Sequence, residues 1–162
     1  MEQKPWWMGA RGEWYVVAQV GFFLLVALGP RELAGLPRWG TPWSWASLAL
    51  GLALGIAGGA LALVGLLHLG RNLTALPHPK DDASLVEDGA YGLVRHPIYS
   101  GLILGACGWA LVNSSPLMLV YAAAMLIFFD IKSRREERWL SAKFPEYPAY
   151  QKRVRKLIPF LY

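Results

Sequence analysis

The chain has 162 residues, 55% hydrophobic and 17% charged, with a formal net charge of +5. Soluble domains carry about 25% charged residues, so this chain has too little polar surface to cover a water-soluble globule, and disorder is excluded by the same arithmetic. Its single cysteine, Cys107, excludes an internal disulfide framework and a multi-cysteine zinc site, and His68, His78 and His96 are spaced too widely for a metal cluster. The length allows one domain, 1–162.

Charge-free stretches set the expected elements. Residues 14–30 form the first, 39–70 the second and 97–129 the third. A bilayer core of ~30 Å needs roughly 20 helical residues. The first stretch predicts one span, about 14–30, and the second a long helix over about 44–69. The third is too long for one helix and is broken by Asn113-Ser114-Ser115-Pro116. Either serine suits a helix cap, and Pro116 suits the first turn of the next helix. The expectation is a hairpin over about 98–129, with helices at about 98–112 and 116–130.

No proline or glycine interrupts 117–143, so the last helix is expected to run on into water. Beyond it, Tyr147, Tyr150, Val154, Leu157 and Ile158 follow helical spacing among Lys152, Arg153, Arg155 and Lys156. This predicts an amphipathic C-terminal helix. It either lies in the headgroup plane or packs on the cytoplasmic side of the protein. The fold class is thus all-α integral membrane, with four transmembrane helices.

With four spans, one side holds 14 of the 16 Lys and Arg residues, which places both termini in the cytoplasm. Trp39, Trp43 and Trp45 then belong to the outer interface. Residues 1–14 include Glu2 and Glu13, so the first apolar stretch reads as a retained span rather than a signal peptide. Gly51, Gly55 and Gly59 form a four-residue repeat that allows close helix packing. The distribution of charge points to membrane lipid, not nucleic acid.

Two polar clusters flank the hairpin, at 85–101 and 132–137, and closing the hairpin brings them together. In the first, Pro97 opens a helix with His96 at its cap, which makes a site for an anionic group. Arg95 adds a positive charge there, for a ligand or for lipid phosphate. In the second, Asp130 and Arg134 have the favourable order for an i,i+4 pair, whereas Lys132 and Glu136 do not, which favours separate ligand roles for the latter two. Glu136 and Glu137 are adjacent and diverge on a helix, so only one is expected to serve a site. Cys107 and His68 read as structural. No nucleophile elbow, P-loop or dinucleotide fingerprint is present.

The run Leu85-Val86, Gly89-Ala90-Tyr91 and Val94-Arg95-His96-Pro97-Ile98-Tyr99-Ser100-Gly101, followed by Glu136-Glu137 and the Tyr147…Tyr150…Val154…Ile158-Pro159 ending, resembles the isoprenylcysteine carboxyl methyltransferase family. Phospholipid methyltransferases share a looser form of it. The resemblance covers about 71–162. It implies a membrane methyltransferase that uses S-adenosylmethionine on a lipophilic or prenylated acceptor at the cytoplasmic interface. By correspondence, cofactor contacts fall on Ala83, Ser84, Leu85, Val86, Tyr91, His96, Pro97, Ile98, Tyr99 and Glu136. The resemblance also implies that the acceptor lies near Lys132, where the family carries arginine; no metal and no particular catalytic residue is implied.

Two other classes compete. NADPH-dependent membrane reductases of the sterol type look similar around Arg-His-Pro-x-Tyr-x-Gly, but tend to carry an acidic residue where this chain has Leu102. A non-catalytic membrane interaction protein with a basic tail is the third reading.

Overall fold

The computed structural model describes residues 9, 11–35, 37–159 and 161–162; the reading of the first eight residues therefore lies outside the described residues. Its regular elements are helical: α1 (Glu13–Leu28), α2 (Trp43–Leu69), α3 (Ala90–Leu93), α4 (Pro97–Val112), α5 (Pro116–Lys143) and α6 (Tyr147–Arg153). By length and composition α2 and α5 are apolar enough to cross a membrane, whereas α1 and α4 are shorter apolar helices. Each of these has 16 residues, or about 24 Å of helix.

Only 17% of the most apolar window of α2 is buried. A core helix of a soluble protein is mostly covered. Here Leu52, Ile56, Leu63 and Leu67 are all more than half exposed. Such an apolar surface belongs in lipid, not water.

α2 and α4 meet through glycines spaced by seven. Gly51 lies against Gly108 and Val112, Gly58 against Gly101 and Gly105, and Gly65 against Pro97 and Ile98. A Cβ on Gly58 would stand 2.6 Å from the Gly101 carbonyl oxygen, so the two backbones touch. The expected four-residue repeat is corrected here. Gly59 faces open space, and Gly55 enters the contact only beside Gly108. A seven-residue period keeps one seam facing one partner along a gently crossing helix pair; a four-residue period drifts off it.

The turn between α4 and α5 is short. The Ser115 side chain accepts from Met118 N–H at 3.2 Å, capping α5, and Pro116 follows in its first turn. α5 then runs unbroken from an apolar half into a charged one, where Asp130 and Arg134 pair at 2.8 Å.

The tail departs from the expected helix. α6 ends at Arg153, and the chain beyond is irregular. The reason lies in α4's approach: Arg95 N–H donates to Arg155 O at 2.8 Å and His96 N–H to Lys156 O at 3.1 Å. Ser100 Oγ reaches Leu157 O at 2.6 Å. These bonds recruit the carbonyls a longer helix would use internally. Of the two sequence readings, packing describes the described tail: Tyr147, Tyr150 and Leu157 are buried.

Candidate active site

One cavity of about 340 Å³ lies where the 71–91 loop, α4, α5 and α6 converge. That is within the usual range for a small-molecule site. Its wall includes Ala83, Ser84, Leu85 and Val86 from the loop. Tyr91, His96, Ile98 and Tyr99 continue it, and Lys132 and Glu136 close it from α5. Pro97 is the exception among the expected contacts. It is buried as the first residue of α4, with its ring turned against Gly65 of α2.

The loop is held in place by local geometry. Ser84 N–H donates to Asn72 Oδ1 at 3.1 Å, and Asn72 Nδ2 returns a bond to Ser84 Oγ at 3.3 Å. Gly89 takes φ +56° ahead of α3, and a Cβ there would collide with the His68 ring. Glycine alone accepts both conditions. Tyr150 Oη then donates to Tyr91 O at 2.6 Å, fixing the short α3 against the tail.

The polar wall is a connected network. Tyr99 Oη donates to Glu136 Oε2 at 2.7 Å. The His96 ring stacks on Tyr99 at 5.3 Å and 6°. Its Nε2 lies 3.1 Å from Glu137 Oε1, and its Nδ1 lies 3.8 Å from Glu136 Oε2. The two glutamates diverge as expected, yet His96 stands between them, so both belong to this network. A histidine flanked by two carboxylates is a poor anion receptor. The anion site expected at α4's start is further narrowed because Pro97 has no N–H and His96 N–H is taken by Lys156 O.

The lipid-anchor reading of Arg95 is corrected. Its Nε donates to Glu137 Oε1 at 2.8 Å, and its Nη1 to Gln151 O at 3.1 Å and to Val154 O. Gln151 Nε2 adds a bond to Glu137 Oε2 at 3.2 Å. The guanidinium is only 11% exposed, so it is a strut between α5 and the tail that also borders the cavity, rather than a charge offered to lipid. Burial, and next the Glu136 charge, push the Tyr91 phenol well above its ordinary range; it stays a neutral donor.

Lys132 is 1% exposed. Its Nζ donates to Gln19 of α1 and to Ala75 O at 3.2 Å, and lies 5.1 Å from the centre of the Tyr99 ring. Sequence reasoning singled out neither Gln19 nor Asn72 nor Phe144, and it read Tyr147 and Tyr150 in the tail motif without giving either a place in the cavity wall. Gln19 had a signal: it is the one amide within the first apolar stretch. Asn72 and Phe144 had none.

A second cavity, about 400 Å³ and almost wholly apolar, lies among α1, α2, α4 and α5. Leu102 lines both cavities.

The phospholipid methyltransferase family profile matches residues 46–147. The cobalt-zinc-cadmium resistance protein CzcN of Cupriavidus metallidurans is 34% identical over 151 residues, covering 93% of this chain and 63% of that protein. A probable protein-S-isoprenylcysteine O-methyltransferase of Oryza sativa subsp. indica is 31% identical over 121 residues, covering 72% of this chain and 63% of that protein. The solved structure of a eukaryotic intramembrane Ras methyltransferase, isoprenylcysteine carboxyl methyltransferase, superimposes with a TM-score of 0.61 at 26% identity, covering 93% of this chain and 53% of that one. The chain thus spans less than two thirds of the length of these relatives. Among the described residues no group of three His, Cys, Asp or Glu is placed to hold a metal ion. With a profile match over most of its length and a shared fold, the chain belongs to the phospholipid methyltransferase family and is similar within it to the isoprenylcysteine O-methyltransferases.

Proposed function

We propose that the chain is an integral membrane methyltransferase that uses S-adenosylmethionine and acts on a lipophilic or prenylated acceptor at the cytoplasmic interface. The observation that carries this reading is the single cavity holding nine of the ten residues expected from the family resemblance. Four spans with both termini cytoplasmic fit the charge asymmetry and leave this cavity on the basic side.

The donor set fits the cofactor. Glu136 supplies a carboxylate for its cationic amine or a ribose hydroxyl, with Tyr99 and His96 orienting that carboxylate. Backbone and side chains of 83–86, with Tyr91 and Ile98, would enclose the remainder. When bound, S-adenosylmethionine supplies an electrophilic methyl group on a sulfonium. The chain's own part is to position the acceptor in line and to exclude water. Lys132 reaches the cavity as a buried cation and would face the acceptor's nucleophile.

Purified protein should transfer label from methyl-labelled S-adenosylmethionine to a lipid-soluble product when incubated with a membrane lipid extract. Absence of labelled product, together with oxidation of NADPH, would assign the cavity to a reductase instead.

A further inference from the structure

We propose that residues 72–84 form a lid over the 340 Å³ cavity and that Trp139 and Lys143 of α5 latch it, so that the cofactor exchanges by lifting of this loop. This rests on the methyltransferase reading above and adds the route by which cofactor enters and its spent form leaves.

Four observations converge. First, the loop is a self-contained body. The paired bonds between Asn72 and Ser84 bring its two ends together, the geometry of an Ω-loop. Inside it, Ala83 N–H donates to Lys80 O at 3.2 Å and Leu76 N–H to Thr74 Oγ1 at 3.2 Å, while Lys80 Nζ reaches back to Arg71 O at 2.7 Å. Just ahead of it, Gly70 takes φ +48° with open space around its Cα, a point where the backbone can swing. Second, the loop is one layer thick. Leu73 walls the cavity and is also 42% exposed, and Pro77 apart no residue of 72–84 is buried. A segment with so little buried surface opens at low cost. Third, its outer ties fall on the polar half of α5. The His78 ring meets Trp139 edge-on at 5.3 Å, with the Arg135 guanidinium 4.5 Å from the same indole. Lys143 Nζ donates to Lys80 O and, at 2.9 Å, to Asp81 O. Lys132 adds an inner tie to Ala75 O, and Pro77 rests against Gly12. Fourth, the other walls are closed. α4, α5 and the tail are bound to one another by Arg95, Glu137 and the tail's backbone bonds. The loop is therefore the wall that yields first.

The test follows S-adenosylhomocysteine exchange by surface plasmon resonance on protein held in phosphatidylcholine nanodiscs. A gate limits entry and exit alike. Trp139→Ala/Lys143→Met should therefore raise the association and dissociation rate constants together, each by roughly tenfold, the effect of one charge-assisted hydrogen bond. Kd should stay within about threefold of wild type. A merely structural role would speed dissociation alone and weaken Kd by the same factor; that result, or unchanged rates, overturns the proposal. A second measurement needs no cofactor. Leu140 lines the cavity from the polar half of α5. In Cys107→Ser protein carrying Leu140→Cys, a membrane-impermeant maleimide should react at least about threefold faster once His78→Ala removes the aromatic contact of the latch. Equal reaction rates with and without His78 overturn the lid whether or not the double variant folds. Faster reaction in a protein that binds no S-adenosylhomocysteine would reject the methyltransferase reading and leave the lid standing.

Discussion

Arg95→Ala should destabilise the protein by about 3–5 kcal/mol, the cost of stranding one member of a buried ion pair. Both partners are largely covered, Arg95 at 11% and Glu137 at 12% exposure. The loss goes beyond Glu137, because the same guanidinium serves the carbonyls of Gln151 and Val154. The tail should therefore detach before the helices separate. Reaction of Cys107 with a thiol-specific dye during heating reports the helices, since this cysteine lies within α4. Trypsin cleavage at Lys152 and Arg153 reports the tail. Arg95→Ala should lower the dye transition and speed the cleavage. Arg95→Lys should recover only part of both, as it keeps the charge and loses the fork. A transition and cleavage rate unchanged in Arg95→Ala would show that the guanidinium is not a strut.

The second large effect separates function from stability. Lys132→Met removes a buried cation and replaces it with an apolar chain of similar length. Exchanging buried charge for packed hydrophobe is often neutral or stabilising. Unfolding should therefore stay within about 1 kcal/mol of wild type or move upward. Methyl transfer to the lipid-extract acceptor should fall by roughly 10–150-fold, equivalent to one charge-assisted hydrogen bond. S-adenosylhomocysteine binding should persist, because Glu136 and the 83–86 wall are untouched. Retained transfer in a folded Lys132→Met protein would remove Lys132 from the acceptor side; lost cofactor binding would move it to the other.

Much of this arrangement was legible in the residues. Charge-free runs located the helices, and Asn113-Ser114-Ser115-Pro116 located the turn, because capping and proline chemistry act locally. The convergence of 83–99 with 132–136 followed from the turn, as topology leaves the two segments nowhere else to go. What the sequence hid depends on distant partners. Nothing local in Arg95 says that its fork will find Glu137 and two tail carbonyls. Nothing local in Val154 to Ile158 says that the Arg95 and His96 backbone will claim the tail's hydrogen bonds. The α2 seam was misread because Gly51, Gly55 and Gly59 satisfy a local pattern, whereas Gly51, Gly58 and Gly65 answer to glycines on another helix. Glu137 was set aside on helical geometry that holds; His96 reaches both carboxylates from the side.

The network also divides labour between neighbours. Glu137 faces the tail and is consumed by structure. Glu136 accepts from Tyr99 alone among the side chains of the described residues and keeps oxygen capacity toward the cavity. His96 links them, so tail anchoring and the cavity's carboxylate are mechanically coupled. Loss of Arg95 should therefore disturb the cavity as well as the tail.

Calorimetric titration of S-adenosylhomocysteine into detergent-solubilised protein tests the central claim most directly. One ligand should bind per wild-type chain, and folded His96→Ala/Glu136→Ala protein should bind it at least about a hundredfold more weakly, the loss of one to two charge-assisted contacts. Undiminished binding in the double variant, or none in the wild type, would contradict a shared cavity between 83–99 and 132–136 as the cofactor site.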